Sequence, residues 1–169
     1  MEINHIHIDW EGPFSIKDLS KLKDAYKDYG VYQIYGGHPI YGSNVLLYIG
    51  KAVDQTFGVR ISQEEWEYNI DSENVEIYIG RLSGKTTPNN SKWESEISLA
   101  ESLLIYSHTP AFNSHNIKSI RDKRLEHVHV FNWMAHRDLM AEVSGLRWKP
   151  RKELENYEYY GTHEEDKNQ

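Results

Sequence analysis

The chain has no cysteine anywhere in its 169 residues, which excludes disulfides and thiolate metal sites. It also lacks any apolar run near the ~20 residues that a membrane helix needs, so no helical span is expected. Its first ten residues, MEINHIHIDW, carry neither a basic n-region nor an apolar h-region; no secretory leader is expected, and the cytoplasm is the default compartment. A surplus of positive charge is missing too. Nineteen Lys and Arg against 26 Asp and Glu give a formal net charge of -7, which argues against a polyanion partner if the charge is spread evenly.

It is not spread evenly. Residues 1 to 114 hold 9 basic and 16 acidic side chains, residues 115 to 152 hold 9 and 4, and residues 153 to 169 hold 1 and 6. The middle block therefore carries +5, and its Lys118, Arg121, Lys123, Arg124, Arg147, Lys149, Arg151 and Lys152 are candidates for gripping nucleic-acid phosphates. Against that stands the reading of a solvated surface. With 38% hydrophobic residues the chain suits one core with an extension.

Ser15 is placed to cap a helix through residues 16 to 26, with Ile16, Leu19, Leu22 and Tyr26 on one side. The segments GVYQIY (30 to 35) and VLLYIGK (45 to 51) read as strands joined by a long turn-rich connection. A helix around Phe57 and Ile61, weakened by Gly58, follows; residues 74 to 82 then read as a third strand. Residues 91 to 108 form the clearest helix, opened by the capping-box pattern Ser91-x-x-Glu94 and stopped by Pro110. Residues 124 to 133 suggest a fourth strand, residues 137 to 143 a further helix, and an acidic tail closes the chain.

Three features point to chemistry. On the helix from 91 to 108, Glu101 falls inside the apolar arc of Trp93, Ile97, Ala100, Leu104 and Ile105, where a carboxylate is costly unless paired or bound to a metal. Arg60 stands beside Phe57 and Ile61, suited either to a salt bridge or to gripping a phosphate. Tyr32 and Tyr48, on paired strands, are placed to meet at one point, although aromatic residues in strands are usually packing.

Gly30-Val31-Tyr32 followed by Tyr48-Ile49-Gly50, with Lys51-Ala52 directly after, resembles the two halves of the GIY-YIG nuclease motif. Arg60 and then ESLLIYSHTPAFN, from Glu101 to Asn113, continue the resemblance, which spans residues 30 to 113. It implies an α+β fold with a small central antiparallel sheet of three strands flanked by helices, in a nuclease-like core over 30–114. Patterning outside that core suggests an N-terminal strand and helix over 1–29, a basic extension over 115–152 that adds a strand and a helix, and an acidic tail over 153–169. The implied activity is a metal-dependent endonuclease hydrolysing DNA phosphodiester bonds, with strandedness open and a dimer compatible with double-strand cutting. Its site residues are Tyr32, Tyr48, Lys51, Arg60, Glu101 and Asn113. Glu101 holds one Mg2+, with Mn2+ as substitute, and a tyrosine takes the water proton after Lys51 lowers its pKa.

Two departures from that pattern matter. The interval between Tyr32 and Tyr48 is long, and Glu64 stands where restriction-enzyme members carry a His or Tyr. The alternative to catalysis is a nuclease-derived module that binds nucleic acid or a protein without cutting. A zinc site from the alternating pairs His5/His7 and His127/His129 is the remaining rival.

Overall fold

The computed structural model describes residues 3–64, 74–83, 90–119 and 122–148. Six strands hydrogen-bond into a single sheet: β1 (Asn4–Phe14), β2 (Gly30–His38), β3 (Gly42–Ala52), β4 (Glu76–Ser83), β5 (Val128–Met134) and β6 (Glu142–Ser144). Their order across the sheet is β3-β2-β4-β1-β5-β6. β1 and β5 run parallel, whereas every other neighbouring pair is antiparallel. The mixed sheet curls into a half-barrel.

This corrects the expected three-stranded sheet flanked by helices: β3-β2-β4 is one half of a larger sheet that β1 continues. The reason lies in the alternation of NHIHIDW. Ile6, Ile8 and Trp10 are buried on one face of β1, while His5, His7 and Asp9 turn to the other. That apolar face is covered by α2, and a strand so buried has its backbone groups paired on both edges, by β4 and β5.

The helix α1 (Phe57–Ser62) and the longer α2 (Asn90–His108) lie on opposite faces of the sheet. Ile97, Leu99, Ala100, Leu103, Leu104 and Ile105 are all buried, so α2 is covered more than half way round. It packs over Ile6, Ile8, Trp10, Val31, Ile49 and Val130. Burying an aliphatic side chain of this kind is worth about 1.5–3 kcal/mol, which makes this layer the main support of the fold. On the opposite face Leu19, Leu22, Phe57 and Ile61 cover Tyr32, Ile34, Leu47, Ile77 and Ile79.

Three local expectations are also corrected. The helix after Ser15 is a single 3-10 segment, Ile16–Lys21. A longer helix would use the Leu22 carbonyl for its next turn, but that carbonyl accepts from Gly58 N at 2.7 Å, and Tyr26 N donates to Asp24 Oδ1 instead. The connection between β2 and β3 shrinks to residues 39–41, because bulged pairing continues to His38 opposite Gly42. Both bonds into the His38 ring, Ile40 N and Tyr41 N to Nδ1, hold that turn. Residues 137 to 143 form a turn leading into β6, not a helix: the Ala141 and Met140 carbonyls accept from the backbone and side chain of Asn132 on β5.

Candidate functional site

The site is built around the edge strand β3. In the β2–β3 register Tyr32 lies opposite Gly50, and its ring crosses the space that a side chain there would fill. A Cβ on Gly50 would meet Tyr32 Oη and Cζ at 2.5 Å and Tyr48 Cε1 at 2.6 Å. The glycine after Tyr48-Ile49 thus makes room for both phenols. Gly30 answers for the other half of the motif: it has φ +148°, and a Cβ would come within 2.0 Å of the Gly80 carbonyl oxygen.

Simple alternation would put Tyr48 with Leu46 and opposite Leu47. A bulge changes this, since Ile34 pairs with Tyr48 while Tyr35 pairs with Leu46, leaving Leu47 as the extra residue. Leu47 and Tyr48 therefore both join the cluster under α1, Leu46 goes to the α2 side, and the two phenols stand on one face with ring centroids 6.1 Å apart.

α1 and the turn that follows it deliver the next two groups. Arg60 Nη2 lies 2.7 Å from Glu64 Oε1, and the same oxygen accepts from Tyr32 Oη at 3.2 Å. The brevity of α1 and its closeness to the 3-10 segment depend on Gly58, where a Cβ would strike the Leu19 carbonyl oxygen at 2.1 Å. On the other face of β3, Lys51 Nζ reaches Ser98 Oγ at 3.1 Å and Glu101 Oε2 at 3.2 Å, both on α2.

Asn113 is buried and clips the strand edge. Its Nδ2 donates to the Ile49 carbonyl and its Oδ1 accepts from Ile49 N, both at 2.9 Å. Ala111 N and Phe112 N donate to the Leu46 and Leu47 carbonyls. The Pro110-to-Asn113 segment thus occupies part of the backbone bonding along the open edge of β3.

Weak electrostatic influence links the two sides of the strand. Burial raises the Glu101 pKa, while Lys51, Arg60 and His115 pull it down by smaller amounts. Burial likewise raises Tyr48, with Glu64 and Glu101 adding to the rise and Arg60 opposing it. Burial drives the Tyr32 phenol well above its ordinary value, Glu64 and Tyr48 add to it, and Arg60 again opposes. The expected lowering of a phenol by Lys51 is thereby corrected: Lys51 serves Glu101, and Arg60, the cation acting on both rings, is outweighed.

Glu64 is the group that sequence reading noted as a departure from the motif but did not place in the site. Its signal was the four-residue step from Arg60, which places both side chains on one side of a helical turn. Behind it opens a cavity of about 270 Å3 lined by Lys17, Lys23, Ile61, Glu64 and Ile77.

Of the basic block, Lys118 and Lys123 are exposed, and Arg124 is exposed but forked onto Asp122 through Nε and Nη2 at 2.6–3.0 Å. Arg121, Lys149, Arg151, Lys152 and the Arg147 side chain lie outside the described residues.

The proposed zinc quartet does not assemble among the described residues. His127 belongs to a 3-10 segment, Lys123–His127, and His5, His7 and His129 are engaged in ring contacts with one another, Phe131 and Trp133. No group of three or more His, Asp or Glu able to hold a metal ion occurs among the described residues. Nor is any helix among them long and apolar enough to cross a membrane. Comparison of the chain with protein-family models, curated proteins and solved structures finds no match.

Proposed function

We propose that the β3 edge is a hydrolytic site for DNA phosphodiester bonds, making the protein a divalent-cation-dependent endonuclease of the GIY-YIG type acting in the cytoplasm. The observation that supports this is geometric: Glu64 Oε1 joins Arg60 at 2.7 Å to Tyr32 at 3.2 Å on one side of β3, and Lys51 joins Glu101 at 3.2 Å on the other. Tyr32, Tyr48 and Arg60 lie on one face of β3 and Glu101 with Lys51 on the other, on either side of a strand edge that Pro110 to Asn113 partly covers.

The donor set fits a hard, well-hydrated cation. Magnesium keeps most of its waters and takes one or two carboxylates plus substrate phosphate oxygens, and Glu101 offers a single, mostly buried carboxylate. Zinc, with its demand for several protein nitrogen or sulfur ligands, does not fit. Glu101 would hold the cation, which would supply Lewis acidity toward the scissile phosphate and relieve charge on the leaving oxygen. Arg60 balances charge growing on the non-bridging oxygens, help of a kind often worth a few kcal/mol. Lys51 holds the Glu101 carboxylate in place through its 3.2 Å contact, and Asn113 fixes the height of Ile49 and hence of the Tyr48 and Gly50 beside it.

A second reading is a module that binds nucleic acid without cutting it. The two ion pairs favour it, because Arg60 is held by Glu64 and Lys51 by Glu101. Purified protein incubated with plasmid and with single- and double-stranded oligonucleotides, in magnesium or manganese against EDTA, separates the readings. The nuclease reading expects metal-dependent cutting that Glu101→Gln abolishes while binding persists. Binding with no product in any metal leaves the second.

A further inference from the structure

We infer that one face of β1 and β5 is a docking surface for an arginine-bearing basic segment of a partner protein. This role goes beyond the reading of the β3 edge and does not depend on it. The register puts Glu11 opposite Ile79, which belongs to the cluster under α1, so His7 and Asp9 on β1 face the same side of the sheet. α1 and the 3-10 segment after Ser15 cover that side over β2, β3 and β4. Over β1 and β5 it carries rings instead.

The rings are ordered. Phe131 stacks on His7 with centroids 4.8 Å apart and planes 10° apart, and on His129 at 4.5 Å and 15°. Trp133 Nε1 donates to His7 Nδ1 at 3.0 Å, with the planes 7° apart and the centroids at 6.0 Å. Indole and imidazole therefore lie edge to edge and nearly coplanar. The bond fixes the indole, and Trp133, 49% exposed, leaves an oriented aromatic plane at the surface.

Charge narrows the occupant. Asp9 lies beside Trp133 in the β1–β5 register, and its carboxylate has no partner among the described residues. Glu142 stands opposite Phe131 and meets only the His129 ring, at 3.2 Å. Arg81, next to Asp9 on β4, is already held by Glu11 and Asp28 at 2.7 Å each. Four carboxylates thus stand against one guanidinium, a field that repels phosphate and draws cations.

The rings then distinguish between cations. A guanidinium is planar and weakly hydrated, so it can lie on an aromatic plane while its edge forks onto a carboxylate; a lysine ammonium is a compact, strongly hydrated charge. An arginine on Trp133 has Asp9 alongside. Glu142 belongs to the row of Phe131, two positions along the strand from Trp133, which matches a second arginine at the alternate position of an extended segment.

The experiment is fluorescence anisotropy of a short labelled peptide of alternating arginine and glycine, titrated with the full chain in EDTA. A lysine-glycine peptide and a single-stranded oligonucleotide are titrated beside it. The arginine peptide is expected to bind more tightly than either. Trp133→Ala weakens it about 2- to 30-fold, the span of one stacked cation. Trp133→Phe falls between that variant and the unaltered chain, which separates loss of the plane from loss of the fold. Asp9→Asn weakens binding about 2- to 5-fold and flattens its salt dependence. Absence of peptide binding, equal affinity for the lysine peptide, or affinity unmoved by Trp133→Ala and Asp9→Asn overturns the inference. Tighter, Trp133-dependent binding of the oligonucleotide also overturns it and makes the face a base-stacking surface. Self-association of the chain that Trp133→Ala abolishes does so as well, giving the face to a second copy. The nuclease reading stands or falls separately, by cutting with metal present.

Discussion

At the scale of single residues, the motif glycines and the buried carboxylate carry the clearest consequences. Gly50→Ala forces a methyl group against two tyrosine rings at about 2.5 Å. Overpacking of this kind costs about 1–3 kcal/mol, read as a lowered urea midpoint with an unchanged m-value. Gly30→Ala sits at or beyond the top of that range, because its obstacle is the Gly80 backbone and its φ of +148° resists a side chain. Glu101 behaves in the opposite sense. Its folded-state pKa is raised by burial, so between the ordinary Glu value and the raised one the folded state binds the extra proton, and stability falls as pH rises through that interval. Glu101→Gln is therefore expected to equal or exceed the unaltered protein in stability at neutral pH. The advantage shrinks below the ordinary carboxylate range, which denaturation series at pH 4 and pH 7 measure. The grouping of Tyr32, Tyr48, Arg60 and Asn113 rested on the motif resemblance, and Glu101, one carboxylate on an apolar arc, was legible from the residues themselves. What Lys51 and Glu64 do was not, because their roles depend on which face of β3 each reaches, and no one-dimensional pattern carries that.

At the scale of elements, the edge of β3 depends on Asn113. Its amide is complementary to the Ile49 peptide, donor to acceptor and acceptor to donor. Asn113→Ala leaves both peptide groups without those partners and should cost about 2–4 kcal/mol. Asn113→Asp is the sharper test, since a carboxylate accepts from Ile49 N but opposes the Ile49 carbonyl. It should be worse than alanine at pH 7 and recover part of the deficit in acid, once the carboxyl carries a proton to donate. Melting temperatures at the two pH values decide this. The sequence made β2, β3, β4 and α2 readable through period-2 runs and one long helical repeat. The Leu47 bulge was invisible, yet it brings Tyr48 to the Tyr32 side. The same limit hid the fate of residues 16 to 26 and 137 to 143: Gly58, distant in the chain, and Asn132, on the preceding strand, take the carbonyls that helices there would have used.

At the scale of the whole molecule, the surface charge and the strand order have separate outcomes. If the nuclease reading holds, Lys118→Ala and Lys123→Ala should each flatten the dependence of log K on log salt by about 0.7–0.9 for every phosphate no longer neutralised. Arg124→Ala should flatten it less, because Asp122 already holds that guanidinium. Oligonucleotide titrations at several salt concentrations give the slopes, and equal slopes throughout would refute a phosphate grip on this face. The strand order was the least legible feature, for the parallel pairing of β1 with β5 joins residues more than 120 positions apart, and nothing local encodes it.

That pairing bears on how the chain is made. Every side chain assigned to the site has been synthesised by residue 113, whereas the second neighbour of β1 does not exist until residues 128–134 emerge from the ribosome. A product of interrupted translation would hold the full set of reactive groups on a sheet whose first strand still shows an unmet ladder of N–H and C=O groups. Such a fragment should stick to its own kind, a difference that light scattering of residues 1–119 beside the complete chain would register.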